Sequence, residues 1–215
     1  ILCISIVLIA FSANAQKEAY NWYFGRNAGF TFNVTQTVND ATGTPVPNVP
    51  TNIKSNINTY EGCFALSNPA TGETIIYSDG MSVYDNNGSV IATGLLGDSS
   101  SAQSGIILPW PGKPNFYFIV TNKQSEASYG GIYYSVFDNS GAPGVITTKN
   151  TALNAGGTIS TNNLFENIMA VRHANGKDYW LINRTGQYVF SWLITSEGFP
   201  AGGAPTVITT LTGSA

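Results

Sequence analysis

The side chains able to do covalent or acid–base chemistry are few in this sequence, and their neighbours narrow the choice further. The single histidine, His173, stands in His173-Ala174-Asn175-Gly176, a run of turn-forming types, so its imidazole is expected to serve a turn. Serine hydrolysis needs a base held beside a nucleophile, and no Gly-x-Ser-x-Gly elbow occurs. Zinc takes several His and Cys ligands, which one His and Cys63 cannot supply. Asp85-Asn86-Asn87-Gly88 and Asp138-Asn139-Ser140-Gly141 gather oxygen donors, but no Glu follows at the twelfth position of either run. Both read as hairpin turns, so no metal and no cofactor is expected.

Paired carboxylates are the remaining route to catalysis, as in glycoside hydrolysis. The candidates are Glu61, Asp79, Asp98 and Glu166. Glu61 and Glu166 open equivalent repeat units, which would bring them near one end of a central channel. The same equivalence is what a structural role predicts, a carboxylate accepting backbone N–H groups at a sheet edge. For binding rather than catalysis, the candidates are the polar loop Gly94–Ser104, with Ser99, Ser100 and Gln103, and two loop aromatics beside Pro and Gly, Trp110 and Tyr129. An exposed ring at either aromatic would stack on a sugar or an apolar side chain.

The elements that must position these residues are strands. No stretch after residue 60 keeps a 3.6-residue apolar period, whereas short runs of Ile, Val, Tyr, Phe and Trp recur between Gly, Asn, Asp and Pro clusters. The expected class is all-β. Three units superpose, each of four short strands joined by tight turns, over about 61–92, 104–148 and 166–210. Four-stranded antiparallel units of this size are propeller blades. Propellers close with roughly four to eight blades, so residues 61–215 are expected to form an incomplete β-propeller, with a two-sheet β-sandwich as the alternative. Residues 16–60 are expected to be N-terminal strands and a linker, strands that would pair with the last blade in a closed ring.

Composition sets the compartment. With 43% hydrophobic residues the chain has the makings of a core, yet only 10% are charged, against roughly 25% in an average soluble domain. Nine Lys and Arg against 12 Asp and Glu leave no basic field for phosphates, which excludes nucleic acid as a partner. Residues 1–12 are an uncharged apolar run followed by Ala13-Asn14-Ala15, the pattern of a signal-peptide h-region and cleavage site. At that length it falls short of the roughly 20 residues of a spanning helix, so no membrane span is expected in the mature chain. The basic n-region is expected to lie upstream of Ile1. Removal of residues 1–15 leaves Cys63 as the one cysteine, so no internal disulfide can form and the thiol reads as a small buried hydrophobe.

Several separated motifs resemble one family. Asn21-Trp22-Tyr23-Phe24-Gly25, Glu61-Gly62-Cys63, Tyr77-Ser78-Asp79-Gly80-Met81-Ser82-Val83-Tyr84, the run from Gly94 to Ser104, and His173-Ala174-Asn175-Gly176-Lys177-Asp178-Tyr179-Trp180 resemble the N-terminal propeller region of large secreted surface proteins of Bacteroidetes. The resemblance spans essentially the whole mature chain. It implies residence on the outer cell surface or in the medium, with the periplasm as alternative. It also implies further parts of the same polypeptide outside this sequence, PKD modules and a gliding-motility-associated sorting domain of the type IX secretion route. The function expected is a non-catalytic extracellular binding or adhesion module for a surface glycan or protein. The alternative is a carbohydrate-active enzyme using Glu61, Glu166 or Asp79. Mass spectrometry of exported protein is expected to find Gln16 at the mature N-terminus; retention of residues 1–12 would refute the cleavage.

Overall fold

A computed structural model describes residues 17–123, 131–153 and 164–210. Among them rather more than half lie in antiparallel strands, with one 3-10 turn at Ala201–Gly203. Sheet I contains β1 (Asn21–Phe24), β2 (Arg26–Asn39) and β3 (Pro45–Asn58). Sheet II contains β4 (Phe64–Ser67), β5 (Thr74–Ser78), β6 (Ser82–Tyr84) and β7 (Val90–Thr93). Sheet III contains β8 (Gly105–Pro109), β9 (Phe116–Asn122), β10 (Ile132–Asp138) and β11 (Val145–Ala152). Sheet IV contains β12 (Met169–Arg172), β13 (Tyr179–Arg184), β14 (Tyr188–Ile194) and β15 (Thr206–Thr210). Every pair joins strands adjacent in sequence, so each sheet is a meander.

The apolar runs explain why the sheets stack. Side chains alternate across a strand, so a strand covered on one face alternates apolar with polar, and one covered on both faces is apolar throughout. In β9, Phe118 and Val120 join the core between sheets III and IV, while Ile119 between them joins the core between sheets II and III. Strand β10 divides in the same way, with Val136 on the sheet IV side and Phe137 on the sheet II side. In sheet II, Ile76 faces sheet III and Tyr77 faces sheet I, where it packs with Tyr23 and Ile57. Sheets II and III are thus buried on both faces. The first strands of successive sheets lie side by side, β1 by β4, β4 by β8 and β8 by β12, and β7 meets β11 at the other margin.

This is an all-β stack of blade-like sheets in sequence order. A two-sheet sandwich would bury each sheet on one face only, and sheets II and III do not fit it. Residues 21–58 depart from the expectation for the N-terminal segment. They form a sheet of their own, and β1 lies beside β4 rather than beside the last unit. Strands β2 and β3 occupy the stretch read as linker, where Thr, Val and Asn alternate without a core to face. The outer part of that hairpin is exposed. Its turn is closed by Asp40, whose Oδ1 accepts the N–H groups of Thr42 and Thr44. Strand β3 carries Pro45, Pro47 and Pro50, three positions without an N–H to donate.

Polar joints fix neighbouring sheets. The Asn21 amide donates to Ser67 Oγ at 2.9 Å and to the Gly72 carbonyl at 2.6 Å, tying sheet I to sheet II. Within sheet IV, the fully buried Trp192 donates its indole N–H to the Gly203 carbonyl at 2.9 Å, holding the β14–β15 connection. Among the described residues no helix is long and apolar enough to cross a membrane. Ile119→Ala is expected to destabilise the protein by about 2–5 kcal/mol, because a fully buried side chain leaves a cavity between two sheets. Val34→Ala, in the exposed hairpin, is expected to stay within about 0.5 kcal/mol in the same denaturant titration.

Candidate functional site

The β6–β7 and β10–β11 turns flank a cleft between sheets II and III. The β6–β7 turn, Asp85–Gly88, and the β10–β11 turn, beginning at Asp138, follow equivalent strands of sheets II and III. In each, an Asp carboxylate caps the backbone: Asp85 Oδ1 accepts the N–H groups of Asn87 and Ser89, and Asp138 Oδ1 accepts that of Ser140. Gly88 takes φ 84°, a left-handed conformation that a side chain would strain. Because sheets II and III pack face to face, the turns stand opposite each other around a cleft of about 360 Å³. Its polar lining is Asn68, Glu73, Thr74, Asp85, Asn86, Asn87 and Asn139. Its apolar lining includes Ile75, Ile91 and Phe137, members of the core between the two sheets, and Pro143.

The loop 94–104 has a different part. Leu95 and Gly97 donate to the carbonyls of Met81 and Gly80 in sheet II, and Leu96 N–H donates to Asn150 Oδ1 in sheet III. Gln103 reaches sheet IV: its Nε2 donates to the Ile168 carbonyl at 2.5 Å and its Oε1 accepts the Ile168 N–H at 3.1 Å. Glu166 Oε2 accepts the Ala102 N–H at 2.6 Å. Ser99 and Ser100 are half-buried in the turn capped by Asp98, which accepts the Ser100 N–H at 2.9 Å. Gly62 leaves room for this loop, since a Cβ there would overlap the Ser101 carbonyl and Ser104. The loop therefore ties three sheets together.

The other sequence candidates are placed as follows. Asp79 is buried, and its Oδ1 accepts the N–H groups of Met81 at 2.9 Å and Ser82 at 2.7 Å, an Asx turn. Glu61 is exposed beside Gly62. Asp79 and Glu166 hold backbone N–H groups in separate turns, and no hydrogen bond described joins any two of Glu61, Asp79 and Glu166. Trp110 does not offer the free ring expected. One contact is Phe118, 4.5 Å between ring centroids, the Lys113 ammonium stands 3.5 Å from the ring centre, and the indole N–H donates to the Ser196 carbonyl in sheet IV. Tyr129 lies outside the described residues. Among the described residues no group of three His, Cys, Asp or Glu could hold a metal ion.

Electrostatics at the sheet I–II joint are those of burial. Tyr23, Tyr77 and Tyr84 stack in series, with centroids 4.0 Å and 5.1 Å apart, and burial pushes all three hydroxyls up. Burial, then the Asp79 charge, pushes the Cys63 thiol up, the opposite of what a nucleophilic cysteine needs.

Two features escaped the sequence reading. The cleft residues were legible as turns, and only the stacking of sheets II and III brings Glu73 and the two turns together. Trp22, which the sequence places only among the N-terminal strands, is 53% exposed as a residue, beside a second cleft of about 330 Å³ along β1 and β4. Comparison of the chain with protein-family models, with curated proteins and with solved structures finds no match. Gln103→Ala is expected to cost about 1–3 kcal/mol in a denaturant titration, since it leaves both backbone groups of the buried Ile168 without their partner. Ser99→Ala is expected to change stability by less than about 0.5 kcal/mol.

Proposed function

We propose that this chain is a non-catalytic binding module of a secreted or cell-surface protein, its partner a surface component presented outside the cell. The observation that supports this reading is the division of labour among its polar side chains. The buried or half-buried carboxylates Asp79 and Glu166 hold backbone N–H groups, whereas the solvent-facing turns of sheets II and III keep side chains free around an open cleft. Rigid stacked sheets displaying short loops are a scaffold suited to recognition. General acid–base catalysis needs a proton-transfer group within reach of a reacting atom, and the carboxylates considered for glycoside hydrolysis belong to separate turns. The low charged fraction and the signal-like N-terminus favour export. The resemblance to Bacteroidetes surface proteins favours the outer surface or the medium over the periplasm.

The test is retention without turnover. Labelled mature protein is expected to be retained on intact cells or insoluble extracellular polysaccharide, with no oligosaccharide released on prolonged incubation. Release of products, abolished by Glu61→Gln or Glu166→Gln, would establish the carbohydrate-active alternative.

A further inference from the structure

We propose that the cleft between sheets II and III is a binding site for a neutral saccharide; this rests on the binding-module reading and names its ligand class. Three observations support it. The first is unspent hydrogen-bonding capacity. The side-chain amides of Asn86, Asn87 and Asn139 make no hydrogen bond to any described residue, and Asp85, which also lines the cleft, uses Oδ1 for its turn and has no hydrogen bond described at Oδ2. At the seams between sheets, by contrast, the amides of Asn21, Asn56 and Asn150 are consumed by backbone carbonyls. Amides and carboxylates together offer both donors and acceptors, which is what vicinal hydroxyls require.

The second observation is the mixture of surfaces. Ile75, Ile91 and Pro143 stand beside these polar groups, so a ligand with an apolar C–H face and a hydroxylated edge is matched on both. At about 360 Å³ the cleft falls at the small end of the roughly 300–1,000 Å³ of small-ligand sites, the scale of a short oligosaccharide segment. The third is charge. No Lys, Arg or His lines the cleft, while Glu73 and Asp85 do, so a phosphorylated, sulfated or uronic ligand would meet repulsion. The walls are also pre-formed, because Ile75, Ile91 and Phe137 are packed into the inter-sheet core.

A glycan array run with the mature chain in chelator-containing buffer tests the proposal. The expected result is retention on neutral glycans, competed by the free oligosaccharide, with sulfated and uronic glycans unbound. Asn86→Ala/Asn139→Ala is expected to weaken that binding by at least about tenfold, as the loss of two hydrogen-bonding side chains implies. Asn52→Ala, in the exposed hairpin, is expected to leave it unchanged. The cleft variants are exposed or half-exposed turn side chains, and an unaltered melting temperature certifies their fold. Binding that survives the double variant, or that selects anionic glycans, overturns the cleft assignment while leaving a binding module. Retention of a protein, with no neutral glycan bound, overturns the ligand class alone. Product release overturns the non-catalytic reading itself.

Discussion

Burial of sheets II and III on both faces is the constraint from which the rest of the architecture follows. A strand of three to eight residues has little apolar surface on one side, so a single sheet of such strands cannot bury enough to hold together. Sharing each middle sheet between two cores solves this, with Ile119 and Phe118, neighbours in the chain, serving different interfaces. Tight turns then become obligatory, because consecutive strands must return at once to stay in their own layer. Those turns emerge at the margins of the stack, which is where free polar side chains can gather.

Directed polar joints add to the packing of the apolar cores in fixing the order between layers. Asn21 fixes sheet I on sheet II, the 94–104 loop fixes sheets II, III and IV, and Trp110 bridges sheet III to the Ser196 carbonyl. That accounts for the fate of several residues whose types suggested recognition. Gln103, Glu166 and Trp110 are large polar or amphipathic side chains at inter-sheet seams, where a long reach and a directed hydrogen bond determine registration. What remains for solvent is the set of shorter side chains on the hairpin tips.

The sequence made the all-β class and the three four-stranded units legible because strand length, apolar runs and turn residues are local properties. Sheet I was only half legible: Asn21 to Phe24 shows a strand pattern, but β2 and β3 run into exposed, Thr- and Pro-rich sequence that resembles a linker by composition. A backbone-holding carboxylate was one reading of the repeat equivalence of Glu61 and Glu166, and Glu166 does accept a backbone N–H; the Asx turn of Asp79 had no such signal. The cleft was not, since it depends on which faces of Glu73, Asn86 and Asn139 confront one another across two layers, a long-range property that no local pattern encodes. Trp110 failed for a similar reason. Proline and glycine neighbours mark a loop, but they do not say whether another sheet covers it.

The prolines of β3 have a colloidal consequence. A chain of formal charge −3 has weak long-range repulsion to keep copies apart at high local concentration. The short-range hazard is an open strand margin, whose row of N–H and C=O groups invites another chain to add on and extend into a fibre. Along β3 that row is interrupted at Pro45, Pro47 and Pro50, and register shifts against β2 distort the spacing of what is left. Resistance to self-association is thereby written into the backbone of this edge, and it does not depend on salt or pH.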